Sequence, residues 1–468
     1  MPKDRSAQMR NESAARECAA RARYWSRSPE IIARLPIPRA ADDQQERLPP
    51  PVEMIGLPSW ASDCGADGGI LVPSQFIAAG QGSAWERTDW FGVIHWYLQG
   101  LAERAFEAAH GPIHSYAFRL RGWDPRLWNR AWVNRIALFL RRWAAALANE
   151  DERRLFGDLP EPEVILTHDV DAVRKAPAVR VKQAAFRGFN ALRSISRGRL
   201  LDATRDIRGA LRFLVCPAGY WCFEEIVGIE EAAAVKSHFL FYGGRGGWRR
   251  SPIEILMDPA YNVEERALRD LLRSLHAKGW EIGLHASFNT WSDPQSIIDE
   301  RRRLKNTLRD DVKTCRQHWL RFSWSQTWMA QEKAGLETDF TLGFNDRPGF
   351  RNGAAIGFHP LDGGLKRPLS ITSLPMVLMD SHLYDYQPLG EEERRAEIRR
   401  WMDEIRIVHG TGSVIWHPHV FSDDYGWGAG YRHLIGELFH GERPADPAAA
   451  AQARHGQGTR SASDPLHY

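Results

Sequence analysis

EVILTHDVD, residues 163–171, is a short apolar run that ends in polar and charged residues. A run of this length, followed by a change of pattern, reads as a buried strand that opens at its C-terminal end. Asp169 and Asp171 stand two residues apart, and the period-two geometry of a strand points both to the same side. Two like charges so close repel, so the arrangement suits one carboxylate held by a cation while the other keeps a usable pKa. That is a metal ligand beside a general base. The plainer alternative is a solvated turn or an Asx cap.

Working outward, the same pattern recurs. EIGLHAS (281–287) is a strand ending in His285, and SVIWHPH (413–419) a strand ending in His417 and His419. Between these lie helical patterns. NVEERALRDLLRSLHAKG (262–279) places Leu268, Leu271, Leu272 and Leu275 on one face and stops at Gly279. EEERRAEIRRWMDEIRIVHG (391–410) does the same with Ile398, Trp401, Met402, Ile405 and Val408, stopping at Gly410. SDPQSIIDERRRLKNTL (292–308) begins with Ser292 as N-cap and Pro294 in the first turn. CFEEIVGIEEAAA (222–234) then VKSHFLFYGG (235–244) reads as helix then strand. Repeated helix–strand units predict an α/β fold with a parallel sheet or barrel.

In α/β barrels catalytic groups gather where strands end. One strand ending in such residues is weak evidence, but three endings brought together by the fold are much stronger. His285 beside an acidic pair is a ligand set for zinc or another divalent ion, although alone it would read as a packed core histidine. His417 suits the acid that protonates a leaving amine near neutral pH. Arg316, in CRQHWLRF (315–322), offers a planar fork able to hold Asp169 ionised; alone it would be a surface ion-pair partner.

The remaining chain is read from composition. Residues 1–50 are a polar tail, 51–160 an accessory α+β domain without a chemical motif, 161–440 the barrel, and 441–468 a disordered tail. RLWNRAWVNRIALFLRRWAAALANE (126–150) carries Trp132, Ile136, Phe139 and Trp143 on one helix face. The insertion 172–220 is basic and helical, over the mouth of the site, with a solvated face as the favoured explanation. A net charge of +3 over 468 residues gives no support for a nucleic-acid partner, and no apolar run is long enough to span a membrane. Without an N-terminal apolar segment, and with five cysteines in no metal-finger spacing, the expectation is a cytoplasmic protein. Most of the nineteen Trp are read as core, the rest as stacking platforms for flat ligands such as sugars.

Together the motifs resemble the polysaccharide deacetylase (NodB-homology, carbohydrate esterase family 4) superfamily, most clearly a bacterial branch with a separate N-terminal region. THDVD resembles its first motif, EIGLHAS its histidine motif, RQHW its Arg-x-Pro-Tyr motif and VIWH its last strand, across residues 161 to 441. The resemblance implies a distorted (β/α)7 barrel and a divalent metal, zinc for preference. It implies Asp169 as general base, Asp171 and His285 as metal ligands, Arg316 as the residue orienting the base, and His417 as general acid. The implied reaction removes an acetyl group from an N-acetylated sugar or a glycan precursor. Asn289 stands where the family has a second histidine, so the site either lacks a third protein ligand or takes one from elsewhere, with His318 or His168 in reach by sequence. His318 replaces the family's Pro and Trp319 its Tyr. With Asn289 and His419, these are the expected substrate contacts.

Two rival readings stay open. DVDAV also fits the opening of haloacid-dehalogenase-type phosphatases, with Asp169 as nucleophile and Asp423–Asp424 as the late acidic pair; that leaves His285 and His417 without a role. The other keeps the barrel as a catalytically impaired glycan-binding module, with Asn289 as its motive.

Overall fold

The computed structural model describes residues 24–439 apart from 26, 41–45, 176, 197, 216, 246–249, 365–366 and 388. The C-terminal tail and most of the N-terminal one lie outside the described residues. Strands β1 (Val52–Ile55) and β2 (Ile70–Pro73) form an antiparallel hairpin. The other eight are β3 (Glu163–Val170), β4 (His238–Tyr242), β5 (Glu281–Ala286), β6 (Thr314–Gln317), β7 (Thr338–Asp339), β8 (Thr372–Ser373), β9 (Met376–Met379) and β10 (Thr411–Ile415). All eight pair in parallel, in the order β8-β7-β6-β5-β4-β3-β10-β9. Only Leu374 and Pro375 separate β8 from β9, the two edges of this sheet. Three Cα–Cα steps reach at most about 11 Å, so the edges must curl toward each other. The result is a distorted α/β barrel with one short strand more than the seven of the expected barrel.

Helices pack on the sheet through the faces their periodicity predicts. In Arg266–Ala277, Leu268, Leu272 and Leu275 are buried, with Leu271 half-buried at the edge of the stripe. In Glu391–Ile407, Ile398, Trp401, Met402 and Ile405 are buried. Two expected helix signals shift by one residue. The cap of Pro294–Leu308 is Asp293 rather than Ser292, because its carboxylate accepts from both Gln295 N and Ser296 N. The left-handed residue ending Glu391–Ile407 is His409 (φ 49°), not Gly410. Gly410 serves close approach instead: a Cβ there would stand 2.6 Å from the Ala355 carbonyl oxygen.

Residues 51–160 share one continuous hydrophobic core with the barrel. The helix Trp132–Ala148 buries Trp132, Ile136, Phe139 and Trp143. Two buried ion pairs cross from this region into the barrel: Arg135 to Glu404 and Glu103 to Arg351, each 2.7 Å. Glu103 also accepts from the Trp324 indole at 2.8 Å. Removing one partner of such a pair strands a buried charge, at about 3–5 kcal/mol. Seven Trp rank among the largest fully buried side chains, so the tryptophan excess chiefly builds this core.

Candidate metal centre and active site

The site forms where β3, β5, β6 and β10 end. His285 on β5 and Arg316 on β6 are direct register partners, so both side chains rise on the same side of the sheet. Asp169 lies on β3, with Asp171 just beyond its end. His318 follows β6, and His417 follows β10 by two residues.

Asp171, His285 and His318 form a cluster whose donor atoms all lie within 4.8 Å of one another. His285 Nε2 is 3.2 Å and His318 Nε2 3.4 Å from the same Asp171 oxygen, Oδ1. Donors sharing one cation at about 2.1 Å in a tetrahedral shell stand about 3.4 Å apart, so this spacing fits a common ion. One carboxylate with two imidazoles is also a borderline-soft donor set suited to zinc. The histidine rings are buried, with side chains 1% and 6% exposed, whereas Asp171 is 30% exposed and opens the site to solvent. Burial opposes ionisation of Asp171, but His318 and His285 outweigh it and hold its carboxyl well below the ordinary range. On its far side, His318 Nδ1 meets Asp258 Oδ1 at 3.2 Å, the carboxylate–imidazole pairing that fixes ring orientation at metal sites.

The turn that presents His318 is under strain. Trp319 and Leu320 both have positive φ (59° and 48°), a conformation costing non-glycine residues about 1–3 kcal/mol and concentrated at functional sites. It is held in place by Ser115 Oγ and Asn345 Nδ2, which donate to the Trp319 carbonyl at 2.8 and 2.7 Å. The N-terminal region therefore supports the site, through Ser115.

Asp169 is buried and meets Arg316 Nη1 at 2.6 Å. Arg316 is anchored in turn, Nε donating to Phe340 O (2.9 Å) and Nη1 also to Thr167 Oγ1 (2.8 Å), while Nη2 has no hydrogen-bond partner among the described residues. The contact with Asp169 is thus made through one nitrogen rather than a two-pronged fork. Burial pushes Asp169 up, but Arg316 first, then His285 and His417, hold it below its usual value. An ionised carboxylate results.

His417 points Nε2 toward Asp171 Oδ2 (3.6 Å) and places Nδ1 3.0 Å from both oxygens of Asp380. Asp380 also accepts from the His417 backbone N–H at 2.7 Å. Burial lowers the imidazole pKa, yet Asp380 first, then Asp171 and Asp169, raise it to about 10.

The remaining predicted residues divide. His168 does not join the cluster: it lies between Trp416 O and Glu230, at 2.6 and 2.8 Å, in a buried network with Tyr431. Asn289 is exposed on the turn after β5. Trp319 stacks edge-on against Phe288, and His419 lies 5.6 Å from the His417 ring, flanked by Tyr220 and Tyr425. Asp424 is engaged by Lys175 (2.6 Å) and the Tyr220 hydroxyl (2.8 Å). Two contributors escaped the sequence reading, Asp258 and Asp380. Asp380 had a legible signal, since PMVLMD (375–380) is another apolar strand ending in an acid. Asp258, in a connection after a short helix, had none.

No family model matches the sequence, and no curated protein matches it either. Among solved structures, a Mycobacterium smegmatis protein assigned as a polysaccharide deacetylase is 16% identical, with 66% of this chain and 97% of that one covered, at a TM-score of 0.36. A CE4 family pseudoenzyme from Bacillus anthracis is 11% identical over 59% of this chain and 60% of its own, at a TM-score of 0.27. A polysaccharide deacetylase from Bacillus cereus is 11% identical over 59% and 87%, also at 0.27. At such identities and TM-scores these are likenesses of fold alone.

Proposed function

We propose that the chain is a metal-dependent hydrolase that removes an acetyl group from an N-acetylated sugar or a polysaccharide precursor. The observation that carries this is the convergence of Asp171, His285 and His318 from three chain segments, with an ionised carboxylate and a carboxylate-backed imidazole beside them. A metal held by those three residues supplies Lewis-acid polarisation of the acetyl carbonyl and a lowered pKa for water.

The side chains do the rest. Asp169, fixed by Arg316, accepts the proton of the attacking water as general base. His417, held at Nδ1 by Asp380, presents Nε2 toward the centre and carries the proton needed by the departing amine. Its raised pKa keeps that proton in place at neutral pH. The base is thus kept deprotonated and the acid protonated by different partners, Arg316 and Asp380, so the two roles do not compete.

The position of His318 speaks against the impaired-module reading. That reading rests on Asn289 lacking donor power, and a third imidazole-or-carboxylate donor is present without it. The direct test is metal analysis of the purified protein with acetate release from N-acetylglucosamine oligomers. Bound zinc with acetate release supports the proposal. Sugar binding with neither metal nor acetate favours the module, and Mg²⁺-dependent phosphate release the phosphatase.

A further inference from the structure

The insertion after Asp171 forms two helices, Pro177–Ser196 and Leu200–Val215, packed against each other as a hairpin. Ala191 and Ala203 are buried, small enough for close approach, and Phe213 anchors the hairpin against the Tyr425 ring at 5.3 Å. The outer side is unusual. Phe189, Leu192 and Ile195 on the first helix, and Leu200, Ile207 and Leu211 on the second, are each 45–68% exposed. The short helix Pro252–Met257, which touches the first of these helices, adds Ile253, Ile255 and Leu256 at 46–58% exposure. Isolated exposed aliphatics are ordinary; this many on one contiguous element marks an interaction surface.

Charge says what covers it. Between Pro177 and Val215 the sequence holds nine Lys or Arg and two Asp, while the whole chain has a net charge of only +3. The hairpin therefore holds the entire positive excess, and the rest of the chain is net acidic. A second copy docking face to face would bring the same cations together, which opposes self-association. No helix among the described residues is long and apolar enough to cross a membrane. Amphipathic helices rich in Lys and Arg, with aliphatic and aromatic side chains alongside, lie in the interface of an anionic bilayer.

We propose that this hairpin docks the protein on the surface of an anionic lipid bilayer. The roots of the hairpin lie near the site: Lys175 and Tyr220, which flank the hairpin, bind Asp424, and the Tyr220 ring lies 5.8 Å from that of His419. The inference stands whether or not the site is a deacetylase.

The test is co-sedimentation of the full chain with mixed phosphatidylglycerol–phosphatidylcholine vesicles and with phosphatidylcholine vesicles alone. The expected result is binding to the anionic vesicles only, weakened by salt, and reduced about tenfold or more in Leu192→Ser/Leu211→Ser. Both side chains are exposed, so an unchanged melting temperature shows the variant to be folded. Equal binding to neutral vesicles overturns the proposal, as does absence of vesicle binding. So does a dimer in analytical ultracentrifugation that the same variant dissociates, which would assign the face to a second copy.

Discussion

His318 reaches both carboxylates of its surroundings: Nε2 lies 3.4 Å from Asp171 Oδ1 and Nδ1 3.2 Å from Asp258 Oδ1. An imidazole so bridged has its ring plane fixed before any ion arrives, and Asp171 first, then Asp258, raise its pKa against the effect of burial. Asp258→Asn keeps the shape and removes the charge behind the ring. Metal affinity, read by competition with a chromogenic chelator, should fall about 10–100-fold. Unchanged affinity would show that Asp258 does not orient the ligand.

Asp169→Asn separates catalysis from binding. Asp169 lies against Arg316, outside the cluster of donors, so metal content should stay intact while acetate release falls by about 10²–10⁴. Asp171→Ala should lose both. Wild-type turnover in Asp169→Asn on a verified substrate would remove the residue from the role of base.

The His417–Asp380 pair predicts a pH effect. A general acid works only while protonated, so activity is lost as pH rises through its pKa. Asp380 is the largest of the influences that raise that pKa. Asp380→Asn should therefore move the alkaline limb of the kcat profile to lower pH, along with a fall in kcat at neutrality. A limb that stays in place would mean that another group titrates there.

Stability should depend on pH through Glu300, buried behind β5. It accepts from the Ser287 backbone N–H (3.0 Å) and hydroxyl, two residues beyond His285. Burial raises its pKa from 4.5 to about 7, so the folded state binds the proton more tightly than the unfolded chain does. Its contribution is therefore fully present below about pH 4.5 and is lost as pH rises through about 7, worth roughly 3 kcal/mol. Glu300→Gln should flatten this part of the profile in denaturant titrations across pH 5–8. Glu107, also raised to about 7, leaves a residual slope in the variant.

How much of this was legible in the sequence follows from length and period. Strands β3, β4, β5 and β10, with the helices around them, span enough residues for an apolar pattern to show. β7 and β8 are two residues each and leave no pattern to read; only the parallel ladder defines them. At the site, Asp169, Asp171, His285 and His417 were legible because each sits at or just past a long strand's end. His318 was legible only as one of two candidates for the shell, beside His168, because its position depends on a left-handed turn at Trp319 that no propensity favours. The strain is tolerated because Ser115 and Asn345, far away in sequence, hold the Trp319 carbonyl.

The central claim is that His318, rather than a residue on the turn after β5, completes the metal shell with Asp171 and His285. Metal content by plasma mass spectrometry of the wild type, His318→Ala and Asn289→Ala, each purified without chelator, tests it directly. The account predicts stoichiometric metal in the wild type and in Asn289→Ala, and its loss in His318→Ala. Full occupancy in His318→Ala, with loss in Asn289→Ala, would contradict it.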